Sequence, residues 1–133
     1  MGTMRASARR LENFRHDVTV RGHRLTADEP RTTGGHDDGP SPQELLAASL
    51  ASCTAVTMEM YAKRKGWNVD GLAVDVQYTP AERGCPTKFD LVLKLPAHLS
   101  EEQVERLQVI AAKCPVHRTL EGEVAFDERV ELA

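Results

Sequence analysis

Apolar and polar positions alternate along several stretches of the chain. Phe14, His16, Val18 and Val20 alternate with Arg15, Asp17 and Thr19, the period of a half-buried strand. Arg21-Gly22 can turn, and residues 23–28 can return as a second strand. Leu72, Val74, Val76 and Tyr78 share one face of a third strand, and Phe89, Leu91, Leu93 and Leu95 one face of a fourth. The string PAERGCPT between them is too long for a tight turn but lets antiparallel neighbours join. Val124, Phe126 and Val130 predict a closing strand.

The helical period marks two further segments. Ser41 suits an N-cap, Pro42 the first helical position, and Glu44 completes a Ser-x-x-Glu capping box. This helix should run to about Lys65, where Lys63, Arg64 and Lys65 face the negative end of the dipole and Gly66 can turn left-handed. From Leu45 to Met60 it reads LLAASLASCTAVTMEM, with no charge between Glu44 and Glu59. A helix apolar all round must be covered all round. One sheet covers one side, so a partner subunit is expected on the other. Ser100 and Gln103 make a second capping box, followed by Val104, Leu107, Ala111 and Cys114 on one apolar face, until Pro115 breaks or restarts the helix. The order β-β-α-β-β-α-(short α)-β favours an α+β fold with antiparallel sheet over a doubly wound one. Residues 1–10 read as a flexible tail, and 11–133 as a single domain. Residues 29–40, EPRTTGGHDDGP, read as a surface loop.

Composition narrows the classes. With 133 residues, 41% hydrophobic and 28% charged, the chain is ordinary for a folded domain rather than a disordered one. A net charge of −3 gives no basic surplus for nucleic acid. No run approaches the ~18 uniformly apolar residues of a membrane span. The start MGTMRASARR lacks a signal-peptide core, and Ala6 breaks the myristoylation pattern. A cytoplasmic setting is expected. Only 5% of residues are aromatic, which also suggests a core completed by a second subunit.

Candidate chemistry centres on Cys53, Cys85 and Cys114. An odd count in such a chain argues against a structural disulfide framework. Cys53 lies mid-helix, either as a small buried apolar group or as a reactive thiol. Cys114 precedes proline in KCPVHRTLEG. As the N-cap of a short helix, near Lys113, His117 and Arg118, it would favour thiolate; otherwise it is a helix-breaking Cys-Pro without chemistry. Two such thiols, if they met, would suit a peroxidase cycle through sulfenic acid and disulfide. Cys85 reads as incidental, or with Cys114 and His117 as an incomplete zinc set. His36, Asp37 and Asp38 read as a solvated loop, and Glu44 as a capping carboxylate.

The strings GPSPQELLAASLASCTAVTMEMYAKRKGW, from Gly39 to Trp67, and EEQVERLQVIAAKCPVHRTLEGEV, from Glu101 to Val124, resemble the OsmC/Ohr family of osmotically inducible and organic-hydroperoxide-resistance proteins. The CPVHRTL string resembles an OsmC-like branch. The resemblance implies an intertwined homodimer, with antiparallel sheets wrapped around long central helices. It implies a thiol peroxidase reducing organic hydroperoxides, with Cys53 peroxidatic and Cys114 resolving, a dithiol reductant, and no cofactor or metal. It also implies a glutamate–arginine pair beside the reactive thiol. Here Gln43 follows the helix-opening Pro42, and Glu44 stands one position on, about 100° round a helix. The Gly-Gly-Arg-Asp-Gly segment that supplies the arginine in the Ohr branch is absent; Arg15 is the nearest positional match and Arg24 the second. These departures support an alternative, a non-catalytic small-molecule or thiol-adduct binding protein on the same fold.

Overall fold

The computed structural model describes residues 2–132. Its elements are β1 (Ser7–Glu12), β2 (Arg15–Val20), β3 (His23–Ala27), a 3-10 turn (Arg31–Thr33), α1 (Pro42–Lys65), β4 (Ala73–Thr79), β5 (Lys88–Lys94), α2 (Glu101–Ala111) and α3 (Pro115–Glu121). The fold class is α+β, with two small antiparallel sheets, as the pattern predicts. Two compact units divide between Ala48 and Ser49, within α1, where a single domain over 11–133 was expected.

In the first unit β1, β2 and β3 form a meander. Both connections are two residues long, Glu12 pairing with Arg15 and Val20 with His23. Asn13 (φ 48°) and Arg21 (φ 56°) take the left-handed conformation that such tight hairpins require. Strand β1 begins at Ser7, inside the segment expected to be a loose tail. Its sequence SARRLE carries no apolar alternation and all its residues are exposed, so pairing with β2 rather than burial makes it a strand. At the end of β3, buried Asp28 accepts backbone N–H bonds from Glu29 (2.7 Å) and Asp38 (3.1 Å). That carboxylate folds the 29–40 loop back on the strand. Gly39 makes the return possible, since a Cβ there would lie 2.2 Å from the Thr26 carbonyl oxygen.

The ends of α1 follow local rules. The Ser41 N–H donates to Glu44 Oε1 (2.9 Å) and the Glu44 N–H to Ser41 Oγ (3.1 Å), a reciprocated capping box. Gly66 ends the helix at φ 74°. By length and composition alone α1 is apolar enough to cross a membrane, with mean hydropathy 1.3 over its most apolar stretch. The core helix of a soluble protein satisfies the same criterion.

The second unit carries the main core. Met58, Tyr61 and Ala62 of α1 pack on Leu107, Ile110 and Ala111 of α2. Val74 and Leu93, paired across β4 and β5, close it from one side. Burying a side chain such as Met58 or Leu107 stabilises the fold by about 1.5–3 kcal/mol. Helix α2 starts at the expected Ser100–Gln103 capping box.

One expected element is missing. Residues 123–132 form no strand; Val124, Phe126, Val130 and Leu132 are exposed. The segment has strand-like alternation but pairs with neither sheet among the described residues. In the single chain α1 is covered on one side, as expected: Leu50, Thr54, Met58 and Tyr61 form its buried stripe, while Val56 (44% exposed) and Met60 (63%) face outward.

Candidate functional site

The second unit brings Cys53 and Cys114 together. Cys53 sits on α1, part-exposed; Cys114 is fully buried and caps α3, whose first residue is Pro115. Proline suits that position because the N–H it lacks would have no helical partner. The two thiols are free and near enough to shift each other's ionisation.

Their surroundings differ. Burial pushes the Cys53 thiol up, and its bond to Cys114 pushes it further, outweighing the Val116 N–H and the Thr57 hydroxyl. Burial would also raise Cys114, but four donors outweigh it: the Cys53 thiol, the backbone N–H groups of His117 and Val116, and the Thr54 hydroxyl. Cys114 is thus held below the ordinary thiol range. Of the pair, Cys114 is the thiol that loses its proton more readily. Such a pair can ionise, attack an electrophile and close to a disulfide.

Arg15, Arg24 and Glu44 lie in the first unit, Cys85 and His117 in the second. Arg15 forms ion pairs with Asp38 (3.2 Å) and Glu12 (3.4 Å), and its buried Nε has no partner among the described residues. Glu44 is engaged in the capping box, which holds its carboxyl below the usual range through the Ser41 N–H and hydroxyl. Arg24 is exposed and bonded to Asp17, which raises its pKa. Cys85 is exposed in the loop between β4 and β5. Among the described residues no group of three His, Cys, Asp or Glu side chains is gathered to hold a metal, so the zinc set of Cys85, Cys114 and His117 is not assembled. His117 instead faces Glu121 (3.3 Å).

Sequence reasoning missed Thr54, which is fully buried beside the pair. The signal available was its place next to Cys53, but only the packing of α3 gives it meaning. It also missed a cavity of about 510 Å³ lined by Leu91, Leu93, Leu95, Val104, Ala111 and His117. This largely apolar groove runs between β5 and the helices that carry Cys114.

The α+β fold places one free thiol on a long apolar helix and a second at the start of a short one. The OsmC family model, described as OsmC-like protein, matches residues 35–129, and the chain belongs to that family. Among solved structures, an OsmC-like protein from Mycoplasma pneumoniae is similar at TM-score 0.76 and 20% identity, covering 91% of this chain and 89% of that one. A protein from Psychrobacter arcticus 273-4, provisionally described as an osmotic stress induced and detoxification response protein, is similar at TM-score 0.77 and 20% identity, covering 90% and 89%. The organic hydroperoxide resistance protein OhrB of Bacillus subtilis is similar at TM-score 0.62 and 22% identity, covering 91% and 92%. At such identities these likenesses establish the fold. Comparison with curated proteins finds no match.

Proposed function

We propose that the protein is a cysteine-based peroxidase that reduces organic hydroperoxides, with Cys53 attacking and Cys114 resolving. The observation that carries this reading is the juxtaposition of the two free thiols. Relatives of this family that bear organic hydroperoxide resistance names agree with it. Cys53 is the more exposed thiol, so it is the one a peroxide can reach. Its thiolate attacks one peroxide oxygen, the O–O bond breaks, and the alkoxide leaves as alcohol after taking a proton. Cys53 is then a sulfenic acid. The Cys114 thiolate attacks that sulfur, forms the disulfide and expels hydroxide, which takes a proton from solvent to become water. An external dithiol reduces the disulfide, as a reducing cytoplasmic setting would allow.

The apolar groove beside α3 suits the hydrocarbon part of an organic hydroperoxide. The outward Val56 and Met60 suit a second subunit, giving a homodimer. Arg15 is proposed as the activating cation. Glu44 is proposed to support the site through the cap of α1.

The test is intact mass and peptide mapping of reduced protein before and after a slight excess of cumene hydroperoxide. Rapid loss of two hydrogens, with a new link between Cys53 and Cys114, is expected. Cys53→Ser should abolish consumption of peroxide, and Cys114→Ser should stop the reaction at sulfenic acid. If the thiols of the unaltered protein stay reduced, the peroxidase reading falls and the binding-protein reading replaces it.

A further inference from the structure

Helix α1 ends in a turn that brings two aromatic rings together. The Gly66 N–H donates to the Lys63 carbonyl (3.2 Å) and the Trp67 N–H to that of Ala62 (2.9 Å), which folds the chain back at the left-handed Gly66. Trp67 then meets Tyr61 edge to face, with ring centroids 5.6 Å apart. Three cations gather at the Tyr61 ring. Arg64 and Lys65 follow it on α1 by three and four residues, the spacing that shares a helix face, and lie 5.8 and 5.6 Å from its centroid. Arg106 comes from α2, with its guanidinium 5.6 Å from the centroid and its Nε donating to the Tyr61 hydroxyl (3.0 Å). Attraction to the ring face helps to hold the cations there. It does not neutralise them: among the described residues none of the three lies within ion-pair distance of a carboxylate. The Tyr61 hydroxyl accepts from Arg106, so its own proton remains available, although the residue is only 9% exposed. Tyr61, Lys65, Trp67 and Arg106 line one cavity of about 910 Å³, large enough for a small organic molecule.

We propose that this cavity is a binding site for a small aromatic carboxylate. The carboxylate meets Lys65 and Arg106 and accepts a hydrogen bond from the Tyr61 hydroxyl, while the ring of the ligand lies against Trp67. An anion there relieves the mutual repulsion of cations that the fold leaves uncompensated. A guanidinium already held by one hydrogen bond loses less freedom on binding than a free one. Glu102 and Glu105 also line the cavity. Glu102 stands in the first turn of α2, where the helix dipole accounts for it. Beside these two carboxylates a singly charged ligand is favoured over a doubly charged phosphate. The site is separate from the thiols. Tyr61 follows Cys53 by eight residues, about 12 Å along α1, and the cavity shares no lining residue with the groove beside α3. Binding here goes beyond the peroxidase reading and does not depend on it.

Trp67 is the chain's one tryptophan, so its fluorescence reads the site directly. The probe is benzoate, titrated into the reduced full chain beside benzamide, acetate, benzylammonium and phenyl phosphate. Benzoate should shift the Trp67 emission saturably. It should bind about tenfold more tightly than benzamide, which keeps the ring and loses the charge, or acetate, which keeps the charge and loses the ring. Lys65→Gln and Arg106→Gln should each weaken benzoate binding about tenfold, and Glu102→Gln should tighten it. Arg106→Gln also removes the bond to Tyr61, so Lys65→Gln, whose side chain is exposed, keeps the test free of any effect on packing. No saturable shift with benzoate, equal affinity for benzamide, tighter binding of benzylammonium or phenyl phosphate, or full affinity in both charge variants overturns the proposal.

Discussion

At the end of β3 the Asp28 carboxylate collects backbone N–H groups from Glu29, Asp38 and His36. In the middle of α1 the Thr54 hydroxyl, just as thoroughly buried, has no complete hydrogen bond. Native proteins rarely leave a buried polar group unsatisfied, and each exception calls for a reason. The saturated group fixes a loop and has no capacity left for chemistry. The unsaturated one lies in the buried stripe of α1, next in sequence to Cys53, and its hydroxyl holds no segment in place. Satisfaction of hydrogen-bonding capacity therefore separates a polar residue that holds the fold from one that does not.

The comparison can be broken most sharply at Asp28. Asp28→Ala strips the acceptor from three backbone donors and should give the largest fall in melting temperature among the variants named here. Hydrogen exchange should show lost protection at Glu29 and Asp38, and an unchanged melt would remove the architectural role. Acid is the second lever. Burial raises the Asp28 carboxyl, but the three N–H donors outweigh it and hold the group below its ordinary range; Glu44 is held low by Ser41. Groups whose folded pKa is depressed stabilise the fold fully above the unfolded value, about 4, and lose that contribution as pH falls through the folded one. Denaturation midpoints followed from neutrality downward should drop in that window, and Asp28→Ala should flatten the drop. Ser41→Ala should cost about 1 kcal/mol in chemical denaturation, the ordinary value of an N-cap. Thr54→Val should have the smallest effect on stability, between no change and a gain of about 1 kcal/mol. A clear loss there would make Thr54 architectural after all.

Features governed by neighbours in sequence were legible from the chain alone. Both capping boxes, the left-handed stop at Gly66 and the alternating faces of β4 and β5 follow from local rules, and the structure shows each of them. The two cysteines were legible as candidates because residue type and context mark them. Strand β1 was not, because its exposed, charged sequence becomes a strand only by pairing with β2. The expected strand over 124–130 has the right alternation, but it pairs with neither sheet among the described residues, and alternation alone does not make a strand. Asp28 and Thr54 were invisible for a related reason. Their surroundings depend on Asp38 and on Cys114, ten and sixty positions away, and no periodicity encodes such a meeting.

The separation of the two thiols along the chain has a thermodynamic consequence. Joining Cys53 to Cys114 would close a loop of some sixty residues, enough to remove about 4 kcal/mol of conformational entropy from the unfolded chain. Oxidised and reduced forms would then differ in heat tolerance as well as in chemistry. Each catalytic round would tighten the protein and relax it again, and a melting curve would register how much peroxide it had met.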